Sequence, residues 1–185
     1  MNKIFFITGN KGKVLEARSK ISTINIEVIQ KNLGYPEIQS DSLEDVACFG
    51  VTHIQKQLNK PFILEDAGLF IETLDGFPGV FSAYVFHTIA CKGILKLMEK
   101  TDNRKAIFKS VFAYGRPNKK PKIFIGECEG TISLNEAGNQ GFGYDPIFIP
   151  ESETKTFAEM ETVEKNSFSH RGKSLEKLID YFNSQ

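Results

Sequence analysis

Residues 4–21 read IFFITGNKGKVLEARSKI, and the hydrophobic pattern changes period inside this stretch. Ile4, Phe5, Phe6 and Ile7 form a short β-prone run that stops at Thr8, Gly9 and Asn10. Val14, Leu15, Ala17, Arg18 and Ile21 follow at helical spacing, so the stretch predicts strand, tight loop and helix. That unit opens an α/β fold.

Working outward, residues 25–31 read as a second strand, which leads through Gly34, Tyr35 and Pro36 to Ser42. Ser42 begins an S-x-x-D cap with Asp45, and Leu43, Val46, Ala47, Ile54 and Leu58 predict a helix over 42–58. Residues 62–64 and 69–74 are separate apolar runs. Between them stand Glu65, Asp66, Ala67 and Gly68, two carboxylates interrupting what otherwise reads as one buried strand. A helix is expected over 88–100, and runs at 106–114 and 122–128 flank a Pro- and Lys-rich turn as in a β-hairpin. The last third holds a glycine-rich loop at 138–143, a short strand at 147–149 and a helix over 169–182. Neither repeats nor low-complexity segments occur. The expectation is a mixed β-sheet flanked by helices, in a single domain over 1–185.

Composition narrows the class. The 185 residues carry 23 Lys and Arg against 23 Asp and Glu, with 41% hydrophobic residues, which excludes a disordered or collagen-like chain. No apolar run approaches the ~20 residues that span a bilayer. The first apolar run is too short for a signal peptide, so a cytoplasmic protein without a membrane partner is expected. Cys48, Cys91 and Cys128 are odd in number and far apart, which suits buried free thiols rather than a disulfide framework or metal knuckle. Residues 92–122 hold ten Lys and Arg against Glu99 and Asp102. Without interleaved aromatics at the turn, that region reads as a solvated helix face and hairpin tip rather than a nucleic-acid surface.

Three constellations carry chemistry. Thr8, Gly9, Asn10, Lys11, Gly12 and Lys13 sit between strand and helix, where backbone N–H groups and lysines suit phosphate. The loop is shorter than G-x-x-x-x-G-K-[ST], and Val14 replaces the required hydroxyl, which excludes an ordinary P-loop. Glu37 and the Glu65, Asp66 pair form an acidic set of the kind that holds Mg²⁺ together with substrate phosphates, and a carboxylate there can orient water. Phe142, Gly143, Tyr144 and Asp145, with Lys165, His170 and Arg171 downstream, offer stacking faces, an acceptor and donors suited to a nucleobase.

Together these residues resemble the inosine/xanthosine triphosphate pyrophosphatase family, the Ham1-like pyrophosphatases of noncanonical purine nucleotides. The matching motifs run from end to end. T-G-N-x-x-K falls at Thr8 to Lys13, E-D-x-G-L at Glu65 to Leu69, and G-x-P-G at Gly76 to Gly79. F-G-Y-D falls at Phe142 to Asp145, E-K-N at Glu164 to Asn166, and S-H-R at Ser169 to Arg171. The resemblance implies an elongated mixed sheet with two lobes around a central cleft, related to the Maf fold, and a homodimer. It also implies Mg²⁺-dependent hydrolysis of ITP, XTP and their deoxy forms to the monophosphate and pyrophosphate, which clears deaminated purines from the nucleotide pool.

Carried over position by position, Thr8 to Lys13 and Ala67 hold the triphosphate, Glu37 and Asp66 bind the metal, and Asp66 activates water. Phe142 to Asp145, Lys165, His170 and Arg171 hold the purine. Ala67 stands where many bacterial relatives have Ser, and Phe49 falls near a position where some eukaryotic members place Lys. Two alternatives stay open: a Maf-like pyrophosphatase acting on pyrimidine or modified nucleotides, and a noncatalytic nucleotide- or RNA-binding module.

Overall fold

The computed structural model describes residues 3–36 and 38–185. Its centre is a mixed sheet in the order β2, β1, β3, β5, β6, β7, with the short β4 paired to β3. β1 (Lys3–Ile7) leads into α1 (Lys11–Ile21), and β2 (Glu27–Lys31) returns parallel to β1. α2 (Leu43–Gln55) follows, capped by Ser42, whose Oγ accepts from Asp45 N at 3.1 Å. β3 (Phe62–Ile71) lies parallel to β1 and antiparallel to the long hairpin of β5 (Lys105–Gly115) and β6 (Lys122–Ile132). Between β3 and β5 come β4 (Pro78–Gly79) and α3 (Ser82–Leu97). β7 (Phe148–Pro150), α4 (Thr162–Phe168) and α5 (His170–Asn183) complete the chain.

Strand alternation distributes the core. Ile63 and Phe112 face α1 and α5, where they meet Val14, Ala17, Leu175 and Leu178. Phe62, Leu64 and Val111 face α2 and its Leu43, Ala47 and Val51. A third cluster joins α3 to the far ends of β3, β5 and β6 through Ile94, Met98, Leu69 and Phe108.

The structure corrects one expectation that matters for the site. Residues 62–71 form one unbroken strand in register with β5 from Phe62 opposite Gly115 to Ile71 opposite Ala106, so Glu65 and Asp66 lie in mid-strand. Pairing with β1 stops at Leu64, opposite Ile7. Beyond that point β3 has lost one neighbour, and the carboxylates stand at the opening. With a period of two, Glu65 faces the α1/α5 side and Asp66 the α2 side.

The helix expected over 88–100 starts earlier, at Ser82, and bends at Ala90. Ala90 has φ 52° and ψ −164°, a region that suits glycine and strains a residue with a Cβ. All three cysteines are free thiols, Cys48 half-buried and the others buried. Burial pushes Cys91 up to about 12 and Cys128 up to about 11, so neither is a ready nucleophile near neutral pH.

Candidate active site

A cavity of about 510 Å³ opens where β1 ends and β3 continues. Such a volume suits a small-molecule ligand. One wall is the loop after β1. Asn10 caps α1 by accepting from Gly12 N at 2.8 Å and Lys13 N at 3.1 Å, while Asn10 N donates to Thr8 Oγ1 at 3.1 Å. Thr8, Gly9, Asn10 and Lys13 line the cavity; Lys11 and Gly12 do not. The phosphate reading therefore narrows. Two of the amides expected to meet phosphate are already held by Asn10, and Lys11 is an exposed side chain.

Gly12 has another use. A Cβ there would stand 2.3 Å from the Phe142 ring, so only glycine lets that ring lie against α1. Phe142, Gly143, Tyr144 and Asp145 form the opposite wall. The loop folds tightly because Gly141 takes φ +72°, and a Cβ there would fall 2.0 Å from Asp145 Oδ2. That same oxygen accepts from Phe142 N at 2.8 Å. Tyr144 is fixed by donating its hydroxyl to Ser82 O at 3.2 Å and by edge contact with Phe86.

Behind these walls runs a buried charge network. Glu65 is fully buried. It accepts from Ser110 Oγ at 2.7 Å and from Arg171 Nε at 3.0 Å, and its Oε2 lies 2.7 Å from Lys13 Nζ. Burial alone would raise its carboxyl; Arg171 and Lys13 outweigh that and hold it at about 2. Glu65 is thus a permanent anion that anchors two cations. Asp66, half-buried, lines the cavity, and its Oδ1 accepts from Ala67 N at 2.9 Å. The Ala67 amide expected to meet phosphate is engaged by that carboxylate.

Lys165 departs from expectation. It was expected against the base, but it does not line the cavity. Its side chain is 3% exposed, with Nζ 2.6 Å from Asp145 Oδ2 and 2.8 Å from Glu16 Oε1. Two carboxylates draw the ammonium behind the Phe142 ring, whose centroid is 5.2 Å away. Arg171 reaches the cavity while its Nη1 binds Glu16 Oε2 at 2.6 Å. Burial disfavours its charge, but Glu65 and Glu16 raise its pKa above the usual arginine value. Burial, opposed only in part by the Lys165 ammonium, leaves the Asp145 carboxyl above its usual range.

His170 stacks flat on Phe108, with centroids 4.5 Å apart and planes 10° apart, and also lines the cavity. Burial first, then Arg171 and Lys165, push the imidazole well below its ordinary pKa, so it is neutral. Glu37 lies outside the described residues. Of the described members of the acidic set, Asp66 is the carboxylate whose position suits an ion in the cavity, since Glu65 is committed to Arg171 and Lys13. Among the described residues no group of three or more His, Cys, Asp and Glu gathers into a metal cluster.

Sequence reasoning missed Glu16, Ser110 and the α3 wall of Ser82, Ala83, Phe86 and His87. A signal existed for Glu16 alone, an acid one turn beyond Lys13 and next to the apolar Ala17.

A family model described as the Ham1 family matches residues 4–181. The chain belongs to the Ham1 family. A dITP/XTP pyrophosphatase of Methanopyrus kandleri is 51% identical over 180 residues, covering 97% of this chain and 96% of its own. A dITP/XTP pyrophosphatase of Pyrococcus horikoshii is 52% identical over 179 residues, covering 97% and 96%. Among solved structures, a HAM1 protein from Coxiella burnetii superposes with a TM-score of 0.86 at 30% identity over the whole of both chains. The Staphylococcus aureus Ham1 protein gives 0.84 at 28% identity over 98% of each chain. Four of the six sequence motifs singled out above contribute a residue to this cavity; the exceptions are G-x-P-G at Gly76 to Gly79 and E-K-N, whose lysine lies behind the wall.

Proposed function

We propose that this protein is a nucleoside-triphosphate pyrophosphatase that hydrolyses ITP, XTP and their deoxy forms to the monophosphate and pyrophosphate, and so clears deaminated purines from the nucleotide pool. The observation that carries the reading is the convergence on one cavity of Thr8, Gly9, Asn10 and Lys13, Asp66, and the loop from Phe142 to Asp145 with His170 and Arg171. The names of the relatives support the reaction class.

In this reading the triphosphate lies along Thr8, Gly9, Asn10 and Lys13, and the purine lies against Phe142 to Asp145. Asp66 takes the proton of a water directed at the α-phosphorus, and pyrophosphate leaves. Lys13, fixed by Glu65, offsets charge on the phosphate oxygens as in other phosphoryl transfers. Mg²⁺ is typically held by one or two carboxylates plus substrate phosphates and water, a donor set that Asp66 and Glu37 fit, and it would neutralise the triphosphate. Ligand binding by these two residues, like the homodimer and the cytoplasmic setting, belongs to this proposal.

Selectivity follows from signs on the purine edge. Hypoxanthine and xanthine present O6 as acceptor and N1–H as donor, and adenine presents the reverse. Arg171 supplies donors at the cavity wall and Asp145 an acceptor, so adenine leaves buried groups mispaired, a penalty that can reach several powers of ten in kcat/KM. The test is incubation with Mg²⁺ and ITP, XTP, dITP, GTP, ATP and CTP separately, with product identification. IMP and pyrophosphate from ITP, with ATP and CTP largely untouched, is the expected result. IDP with orthophosphate would overturn the geometry, turnover favouring CTP would favour the Maf-like alternative, and no turnover at all would favour a binding module.

A further inference from the structure

Glu16 stays behind the cavity wall, yet two cations converge on it. It lies on the inner side of α1, with its side chain 5% exposed, and its two oxygens divide between Lys165 Nζ at 2.8 Å and Arg171 Nη1 at 2.6 Å. Lys165 continues to Asp145 at 2.6 Å, and Arg171 to Glu65 at 3.0 Å, which in turn holds Lys13 at 2.7 Å. Charge alternates at every step from Asp145 through Lys165, Glu16, Arg171 and Glu65 to Lys13. Three anions balance three cations, and both Lys165 and Arg171 lie against the Phe142 ring, 5.2 and 5.1 Å from its centroid.

Buried ionic networks of this kind seldom stabilise a fold more than apolar packing of the same volume. Their effect is to fix where each donor points. Resting on the purine-nucleotide reading of the cavity, we infer that Glu16 is a positioning residue for base selection. It holds Lys165 away from the base and locks Arg171 by one nitrogen, so the donors left at the cavity wall keep a fixed direction. A fixed donor cannot retreat from the amino group of adenine; a loosened one can. Removing the Glu16 charge leaves Lys165 with Asp145 alone and Arg171 with Glu65 alone, and the two cations then lack the anion between them.

The experiment compares kcat and KM for ITP and ATP in the Mg²⁺-supplemented wild type, Glu16→Gln and Glu16→Asp. In Glu16→Gln the ratio of kcat/KM for ITP to that for ATP is expected to fall at least tenfold, mainly through KM. Glu16→Asp keeps the charge but is too short to reach both cations, and a smaller fall is expected. It also supplies the reading should Glu16→Gln not be recovered folded. A merely structural role would scale both substrates by the folded fraction, and an unchanged ratio in the recovered variants overturns the inference while leaving the proposed function intact. A wild type that hydrolyses neither nucleotide overturns the functional reading, and the inference with it.

Discussion

Asp66 and Glu65 are neighbours in sequence with opposite physical situations. Glu65 is desolvated, paired with two cations and permanently charged, whereas Asp66 is half-exposed on the other face of β3. Replacing Asp66 by Asn keeps the shape and removes the base. The expected outcome is a loss of about 10²- to 10⁴-fold in kcat for ITP with an unchanged melting curve, measured by pyrophosphate release and circular dichroism. His170 predicts a pH effect on stability. Its folded pKa lies below the ordinary histidine value of ~6.5, so between the two the unfolded chain binds a proton that the folded chain excludes. Stability from this group is complete above pH ~6.5 and falls as pH drops below it, by up to ~1.4 kcal/mol per pH unit. Denaturant titrations of the wild type and His170→Gln between pH 7.5 and 5.5 should show the steeper loss in the wild type. At this scale the sequence disclosed most of the cavity residues, because each belongs to a motif with a recognisable chemistry. It misdirected Lys165 because a lysine's reach is decided by anions that only tertiary structure brings near, here Glu16 from one helix and Asp145 from a distant loop.

Elements were legible where one local rule decided them. Ser42 marked the start of α2 within a residue, the change of period at Thr8 marked the end of β1, and the hairpin of β5 and β6 followed from its turn. β3 was read as two pieces because acids inside an apolar run imply exposure, but Lys13, Arg171 and Ser110 offset the cost of burying Glu65, and the strand continues. α3 was misplaced for a related reason. Its first turn follows the exposed Phe81, carries the exposed Tyr84 and lines the cavity with Ser82 and Phe86, so the pattern is not that of a helix with one wet face. Its bend at Ala90 gives a test. A strained φ of this kind costs ~1–3 kcal/mol, and glycine's greater unfolded freedom returns ~0.5–1 kcal/mol of that. Ala90→Gly should therefore stabilise by about 1 kcal/mol, raising Tm by roughly 2–4 °C in a chain of this size. An unchanged or lower Tm by calorimetry would show that the bend carries no such strain.

The whole molecule joins two kinds of sheet along β3. On one side, β1 and β2 pair in parallel through crossovers; on the other, β5 and β6 form an antiparallel hairpin joined by a short turn. Contacts of low sequence separation form early, since less loop entropy is lost before they are made. Phe112→Leu in β5 should slow folding, whereas Ile4→Val in β1 should chiefly speed unfolding, a contrast that chevron kinetics would read. That mixed architecture was legible from the opening 18 residues and the hairpin, while the strand order was not, because register between distant strands is set by packing of both faces at once. The cavity lies across the boundary, with Thr8 and Asn10 contributed by the parallel side and Phe108 and Tyr144 by the other. A nucleotide seated there would bridge a late-forming half to an early-forming one. Its binding energy would thereby act as a clasp: at a hundredfold excess over Kd it adds about 2.7 kcal/mol against unfolding. Amide exchange in β1 and β2 should slow when a slowly hydrolysed inosine nucleotide is added.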